Sequence, residues 1–283
     1  MTKHLLCLAL LSALAASQAL AQASSQEPLA NSGKEPSANS GKEPLANSKK
    51  EPLANSGKEP SAEPWAIGTA WSTDKSEVLY REIHFANDPD LDLTTRVEYR
   101  TPDGELFGEK DIDYSVSTTA PAISQADHRN DARITTRHPN AEPGPYVELE
   151  VRPHDSDEIQ REQFDYEEGL IIDAGFDPFV REHWDRLVDG RRITTDFLVP
   201  ARMDTVHISI RKTDNDECNF PSQNMHCFII NPAGLLRMVS WFVDPILIGY
   251  DADSRRLLMF EGVSNFRDDA GEPRNTLIHF EYF

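Results

Sequence analysis

Apolar and polar residues alternate through much of the chain after residue 75, which is the pattern of β-strands with two different faces. In Val78–Phe85 successive side chains would point to opposite sides of a sheet. Short polar turns such as Asp103-Gly104 separate neighbouring strand candidates, and this spacing predicts an antiparallel meander. The remaining strand candidates are 94–100, 106–114, 147–151, 170–172, 193–199, 205–211, 228–230, 235–242, 245–250, 256–261 and 275–282.

One segment has helical rather than strand periodicity. Asp177 followed by Pro178 is typical of an N-cap and the first helical position, and Gly190 stands where a helix usually ends. Because strand candidates flank this helix, we expect its apolar side to pack on the sheet. The predicted fold class is mainly β (α+β), a curved antiparallel meander or half-barrel packed on one central amphipathic helix. The apolar side consists of Phe179, Val180, Trp184, Leu187 and Val188.

Residues 118–145 show neither the alternation of a strand nor the apolar period of a helix, and they are rich in charged and proline-containing turns. This composition predicts a long loop or lid in the middle of the domain.

The first 64 residues have a different composition from the rest. Residues 1–21 combine a polar start, an apolar run too short to span a bilayer and the small-residue pattern Ala19-Leu20-Ala21, which together predict a cleavable signal peptide. Residues 22–64 repeat the octapeptide EPLANSGK with variations, and their Pro, Gly, Ser and Asn predict a disordered linker. Residues 65–283 have the length of a single β-rich domain.

The charge is concentrated in that domain. Residues 1–64 contain six lysines, six glutamates and no other charged residue, so the net charge of −20 belongs to residues 65–283. Such an acidic surface repels phosphate backbones, which excludes nucleic acid as a partner. No transmembrane segment is expected after signal cleavage.

Two cysteines remain after the expected removal of Cys7. An even number of cysteines in an oxidising compartment favours a disulfide, here between Cys218 and Cys227.

Two stretches carry a resemblance to known proteins. They are ILIGYDADSRRLLMFEG at 246–262 and the helix with Gly190 and FLVP at 179–200. They resemble an uncharacterised family of secreted bacterial proteins, whose architecture looks like the incompletely closed β-barrel of periplasmic lipoprotein carriers. That resemblance implies an extracytoplasmic protein, in the bacterial periplasm or secreted, and an acyl chain as ligand. It supplies no ligand motif, so no functional residue follows from it.

The sequence shows no recognised catalytic motif, and we expect no catalytic residue, no cofactor and no bound metal. The weak candidates for metal ligands are three histidines on predicted strands, His84, His207 and His279. If their strands were neighbours in register, the imidazoles could converge on a zinc or copper ion. Otherwise they are scattered over the solvated face of a sheet, and strand register cannot be read from one sequence.

The leading hypothesis is a non-catalytic extracytoplasmic binding protein that holds a lipid or other apolar ligand in its curved sheet. The five apolar helix residues would then face the ligand. One alternative is a secreted hydrolase with a site under the 118–145 loop, for which His128, His138 and His154 are candidate bases. The other is an acidic interaction module on a flexible tether with a protein partner of unknown kind.

Overall fold

The structure, a computed structural model, describes residues 63–87, 92–154, 156–220, 224–233, 245–268 and 270–283. Within these ranges fifteen strands form one curved sheet that does not close, and a short helix lies against it. The strands are β1 (Ala66–Trp71), β2 (Val78–Phe85), β3 (Arg96–Arg100), β4 (Leu106–Asp113), β5 (Ala122–Asp127), β6 (Ala132–Arg137), β7 (Tyr146–Arg152), β8 (Gln160–Asp165), β9 (Ile171–Ile172), β10 (Ile193–Val199), β11 (Asp204–Thr213), β12 (Met225–Pro232), β13 (Ile246–Asp251), β14 (Leu257–Val263) and β15 (Asn275–Tyr282).

Strands that follow one another in the chain are neighbours in the sheet, except β8 and β9, and the first strand also pairs with the last one. β1 lies in the middle of the sheet between β2 and β15, and from there the order runs outward to β8 on one side and through β15 down to β9 on the other. All neighbours are antiparallel except β9 and β10, which are parallel over two residue pairs. The two ends of the sheet, β8 and β9, are therefore consecutive in the chain and joined by residues 166–170.

The helix lies between β9 and β10 in the chain and packs on the sheet. It has two segments, α1 (Phe176–Glu182) and α2 (Trp184–Val188). Their buried side chains form a cluster with alternate residues of β10 to β13, including Phe228 and Tyr250. Burial of aromatic and aliphatic side chains on this scale is the main source of stability for such a contact.

A second core cluster covers the same sheet on the side of β2 to β7. Tyr80, Tyr99 and Phe107 pack there with Phe266 from the turn between β14 and β15. The alternation of buried and less buried residues along β1, β3 and β7 is the physical reason that these segments are strands.

Most predicted strands are confirmed, and β2, β10 and β15 have the predicted bounds. The predicted loop at 118–145 is wrong, because it contains β5 and β6. In β5 the buried positions include Gln125 and Asp127, and these polar residues hide the apolar alternation. Asp127 is stabilised there by Arg129, whose guanidinium lies 2.8 Å from the carboxylate.

The beginning of the helix also differs from the prediction. Asp177 is not the N-cap: α1 begins at Phe176 with Gly175 as its N-cap, directly after a 3-10 turn at Asp173–Gly175. Asp177 instead pairs with Arg181 one turn later. His183 then interrupts the helix and separates α1 from α2.

The predicted disulfide is confirmed, since Cys218 and Cys227 are bonded. The described ranges contain no helix long and apolar enough to cross a membrane. The predicted signal peptide, the linker up to residue 62 and the strand predicted at 235–242 lie outside the described residues.

Gly175 sets how closely the helix approaches the rest of the domain. A Cβ atom at this position would lie 1.9 Å from the carbonyl oxygen of Thr119, and Ile172 donates a backbone hydrogen bond to that same oxygen. We expect Gly175→Ala to lower the free energy of unfolding by about 1–3 kcal/mol or more, because the backbone of residue 175 or of Thr119 must move to relieve the contact. Urea denaturation measures this, with Gly144→Ala as the control, since its nearest neighbour would be 3.6 Å away. Equal stability of the two variants would contradict the prediction.

Candidate functional site

A cleft lies between β8, one end of the sheet, and β10, which is next to the other end. Its volume is about 540 Å³, within the range of about 300–1,000 Å³ of small-ligand sites. One wall is β8, the opposite wall is β10, and residues 166–170 connect the two sides. The cleft is lined by Gln163, Phe164, Asp165, Glu167, Glu168, Leu170, Thr194, Thr195, Asp196 and Thr205.

The lining shows that the cleft runs along strand edges. Residues 163–165 of β8 line it consecutively, and so do residues 194–196 of β10. Successive side chains of a strand point to opposite faces of its sheet, so a cleft over one face would be lined by alternate residues. Three consecutive residues from each strand place the cleft beside the backbone of both strands.

Both strands have backbone left unpaired by neighbouring strands on the cleft side. Among the described residues β8 pairs only with β7, over residues 160–165. β9 pairs with β10 only at Phe197 and Leu198, and among the described strands residues 193–196 pair with β11 alone. The connecting segment 166–170 lies against this part of β10 at Thr195, whose hydroxyl donates a hydrogen bond to the carbonyl oxygen of Gly169. An edge of this kind presents N–H and C=O groups to whatever occupies the space beside it.

The charge of the cleft has one sign. Asp165, Glu167, Glu168 and Asp196 line it, and no lysine or arginine is among the described residues of the lining. His207 is adjacent, with Nδ1 2.8 Å from a carboxylate oxygen of Asp196, and both side chains are about half exposed. Phe164 and Leu170 add apolar contact area to an otherwise polar lining. The arrangement suits a ligand with positive charge.

The five helix residues predicted to face a ligand pack against protein. Phe179, Val180, Trp184 and Leu187 are buried, and Val188 is partly buried against the same cluster. The Trp184 ring has edge contacts with Phe228 and Tyr250, with ring centres 5.8 and 5.9 Å apart. Whether a ligand reaches this helix stays a prediction.

The three strand histidines lie apart from one another. His84 contacts Glu82 and Thr94, each at 3.2 Å. His207 contacts Asp196 across the β10–β11 pair, and His279 packs on the Phe220 ring. The described part of the chain contains no group of three or more His, Cys, Asp or Glu side chains that could hold a metal ion.

The histidines of the hydrolase alternative lie on or after β-hairpins instead of under a loop. His138 Nε2 lies 2.7 Å from the carbonyl oxygen of Ala120, and its ring packs on Tyr166. His128 Nε2 lies 3.8 Å from Glu109, and His154 follows β7 and lies close to Gly271. Each of the three therefore contacts a different part of the domain.

Two polar contacts hold the helical segment against the rest of the domain. Lys110 of β4 makes two hydrogen bonds to Asp173, at 2.7 and 2.8 Å, and both side chains are largely buried. In α1, Arg181 pairs with Asp177 and donates a hydrogen bond of 2.7 Å to the carbonyl oxygen of Asp92. Burial raises the pKa of the Asp177 carboxyl, and the charge of Arg181 opposes that rise.

The Asp92 carboxylate extends this second contact to the β13–β14 turn. It accepts a hydrogen bond of 2.7 Å from Arg256, whose guanidinium also lies over the rings of Trp65 and Tyr282. Burial raises the pKa of the Tyr282 hydroxyl above its ordinary value. These contacts join four segments of the chain around α1, and we interpret them as structural.

Comparisons with known proteins assign the chain to no family. No family model and no curated protein matches the chain. Among solved structures, the chain is similar to a crystal structure described as a beta-barrel-like protein of domain of unknown function DUF1849 from Brucella abortus. The similarity covers 79% of this chain and 100% of that one, at 7% identity and a TM-score of 0.35.

Sequence reasoning missed the cleft because it missed β8. The segment QREQFD is almost wholly exposed and has no apolar alternation, so no hydrophobic period marks it as a strand. The other wall did leave a signal, since Thr194-Thr195-Asp196 puts three polar residues in a row within a strand that was otherwise predicted correctly.

Proposed function

We propose that this protein is a non-catalytic extracytoplasmic binding protein whose site is the cleft between β8 and β10, and that its ligand is positively charged. The observation that carries the proposal is the cleft itself, a space of about 540 Å³ between β8 and β10 whose described lining has four carboxylates and no basic residue. Attraction to the domain's net charge of −20 would raise the encounter rate with such a ligand.

The extracytoplasmic location rests on two observations of different kinds. The disulfide between Cys218 and Cys227 is typical of proteins from oxidising compartments. The residues 1–21 have the features of a cleavable signal peptide.

A cationic ligand in the cleft fits the structure better than an acyl chain in the curve of the sheet. The helix side chains that would contact an acyl chain are already packed against β10 to β13. The carboxylates of the cleft would have to lose water without gaining a partner if an apolar chain covered them.

Calorimetric titration tests the proposal with two probes, the peptide acetyl-Lys-Val-Lys-Val-Lys-amide and the fatty acid cis-parinaric acid. We expect the peptide to bind and its affinity to fall as salt is raised, because exposed charges are screened. We expect Glu167→Gln with Glu168→Gln to weaken binding roughly twofold to thirtyfold, from two exposed charge contacts.

The matched control is Glu105→Gln with Glu281→Gln, which removes the same charge from exposed positions outside the cleft lining. An equal loss of affinity in both double variants would assign the effect to net charge rather than to the cleft. Binding of cis-parinaric acid without binding of the peptide would overturn the cationic ligand and support an apolar one.

A further inference from the structure

Resting on the proposed function, we propose that the ligand is an extended peptide with basic side chains that adds as a strand to the open ends of the sheet. The cleft is lined by consecutive residues of β8 and β10, so it runs along the edges of both strands, and at Thr205 it extends over the β10–β11 pair. Main-chain groups along such an edge recognise another backbone in the extended conformation.

The dimensions of the walls set the length of the peptide. Each wall contributes three residues, and at about 3.3 Å per residue the paired stretch is roughly 10 Å long. A peptide of about five residues therefore fills the stretch with a residue to spare at each end. Pairing with both walls would connect β8 to the part of β10 that β9 does not cover.

The charges decide the kind of partner. In an extended peptide paired with a strand edge, side chains point alternately to the two faces of the sheet, and Asp165, Glu167, Glu168 and Asp196 line the cleft that the peptide would occupy. Lysine or arginine side chains of such a peptide would therefore lie near carboxylates. A second copy of this chain would bring the same acidic cleft and the charged, exposed β8 against each other, which charge repulsion opposes.

The decisive experiment compares three probes of equal positive charge on the same protein. They are acetyl-Lys-Val-Lys-Val-Lys-amide, the same peptide with every backbone nitrogen between residues methylated, and spermidine. The methylated peptide keeps the side chains, but none of its four amides between residues can donate a hydrogen bond. We expect it and spermidine to bind roughly tenfold or more weakly than the parent peptide, since at least two such bonds are lost.

Hydrogen exchange locates the pairing. With the parent peptide bound, we expect slower exchange of backbone amides within 160–165, within 193–196 or in both. With the methylated peptide at the same concentration we expect no such protection. Protection confined to other strands would overturn the placement.

The remaining outcomes separate this inference from the proposed function. If all three probes bind equally well and the Glu167→Gln, Glu168→Gln variant weakens all of them, the cleft binds cations without strand addition, and only this inference fails. If none of the three binds, the proposed function fails as well.

Discussion

Replacing Trp184 by alanine is expected to lower the free energy of unfolding of the ligand-free protein by about 3–5 kcal/mol, the usual cost of removing a large buried aromatic side chain. Trp184 is 5% exposed and contacts Phe228 and Tyr250, and the Arg255 guanidinium lies over its ring. Its removal would leave a cavity between the helix and the sheet that these neighbours cannot fill without moving.

Urea denaturation followed by circular dichroism checks this, with Glu182→Ala as the matched control because Glu182 lies on the same helix and is exposed. The control should change stability by less than about 0.5 kcal/mol. The same pair of variants addresses the prediction that this side of the helix faces a ligand. A ligand-facing Trp184 would cost little stability in the free protein and much affinity, which is the opposite of the result that we expect.

The local pattern of the sequence was sufficient for most elements of the fold. Strands such as β2 and β15 alternate cleanly because one face is buried, and the alternation is visible whatever the neighbours are. The helix was likewise identified from its apolar period. The start of the helix was predicted wrongly. The helix begins directly after a tight turn at Asp173–Gly175, and Asp177 forms an ion pair with Arg181 instead of capping the helix.

The elements that sequence reasoning missed are those whose environment is set by distant residues. β5 carries the buried polar residues Gln125 and Asp127, which are acceptable only because Arg129 and the backbone of Asn265 contact them. β8 is an exposed edge strand, where no hydrophobic period is required. Because the cleft is formed by β8 and β10 across the open ends of the sheet, it depends on the curvature of fifteen strands and not on any local motif.

The second large effect on stability is expected from breaking the buried ion pair between Lys110 and Asp173. Lys110→Met is expected to lower the free energy of unfolding by about 3–5 kcal/mol, because the Asp173 carboxylate would stay buried without its partner. The Lys110 side chain is 3% exposed and that of Asp173 is 15% exposed, so water compensates little. Asp173 directly follows β9, and the pair therefore also fixes the segment that frames the cleft.

A double-mutant cycle separates the cost of leaving the Asp173 carboxylate buried without a partner from the stabilisation that the ion pair itself contributes. Adding Asp173→Asn to Lys110→Met removes the unpaired carboxylate, so we expect the double variant to be more stable than Lys110→Met alone. Arg137→Met is the control, because it breaks an exposed pair with Glu148 and should cost at most about 1 kcal/mol. A double variant less stable than Lys110→Met would mean that Asp173 stabilises the turn before the helix through contacts other than Lys110. In that case the pair would not be what holds this segment against β4.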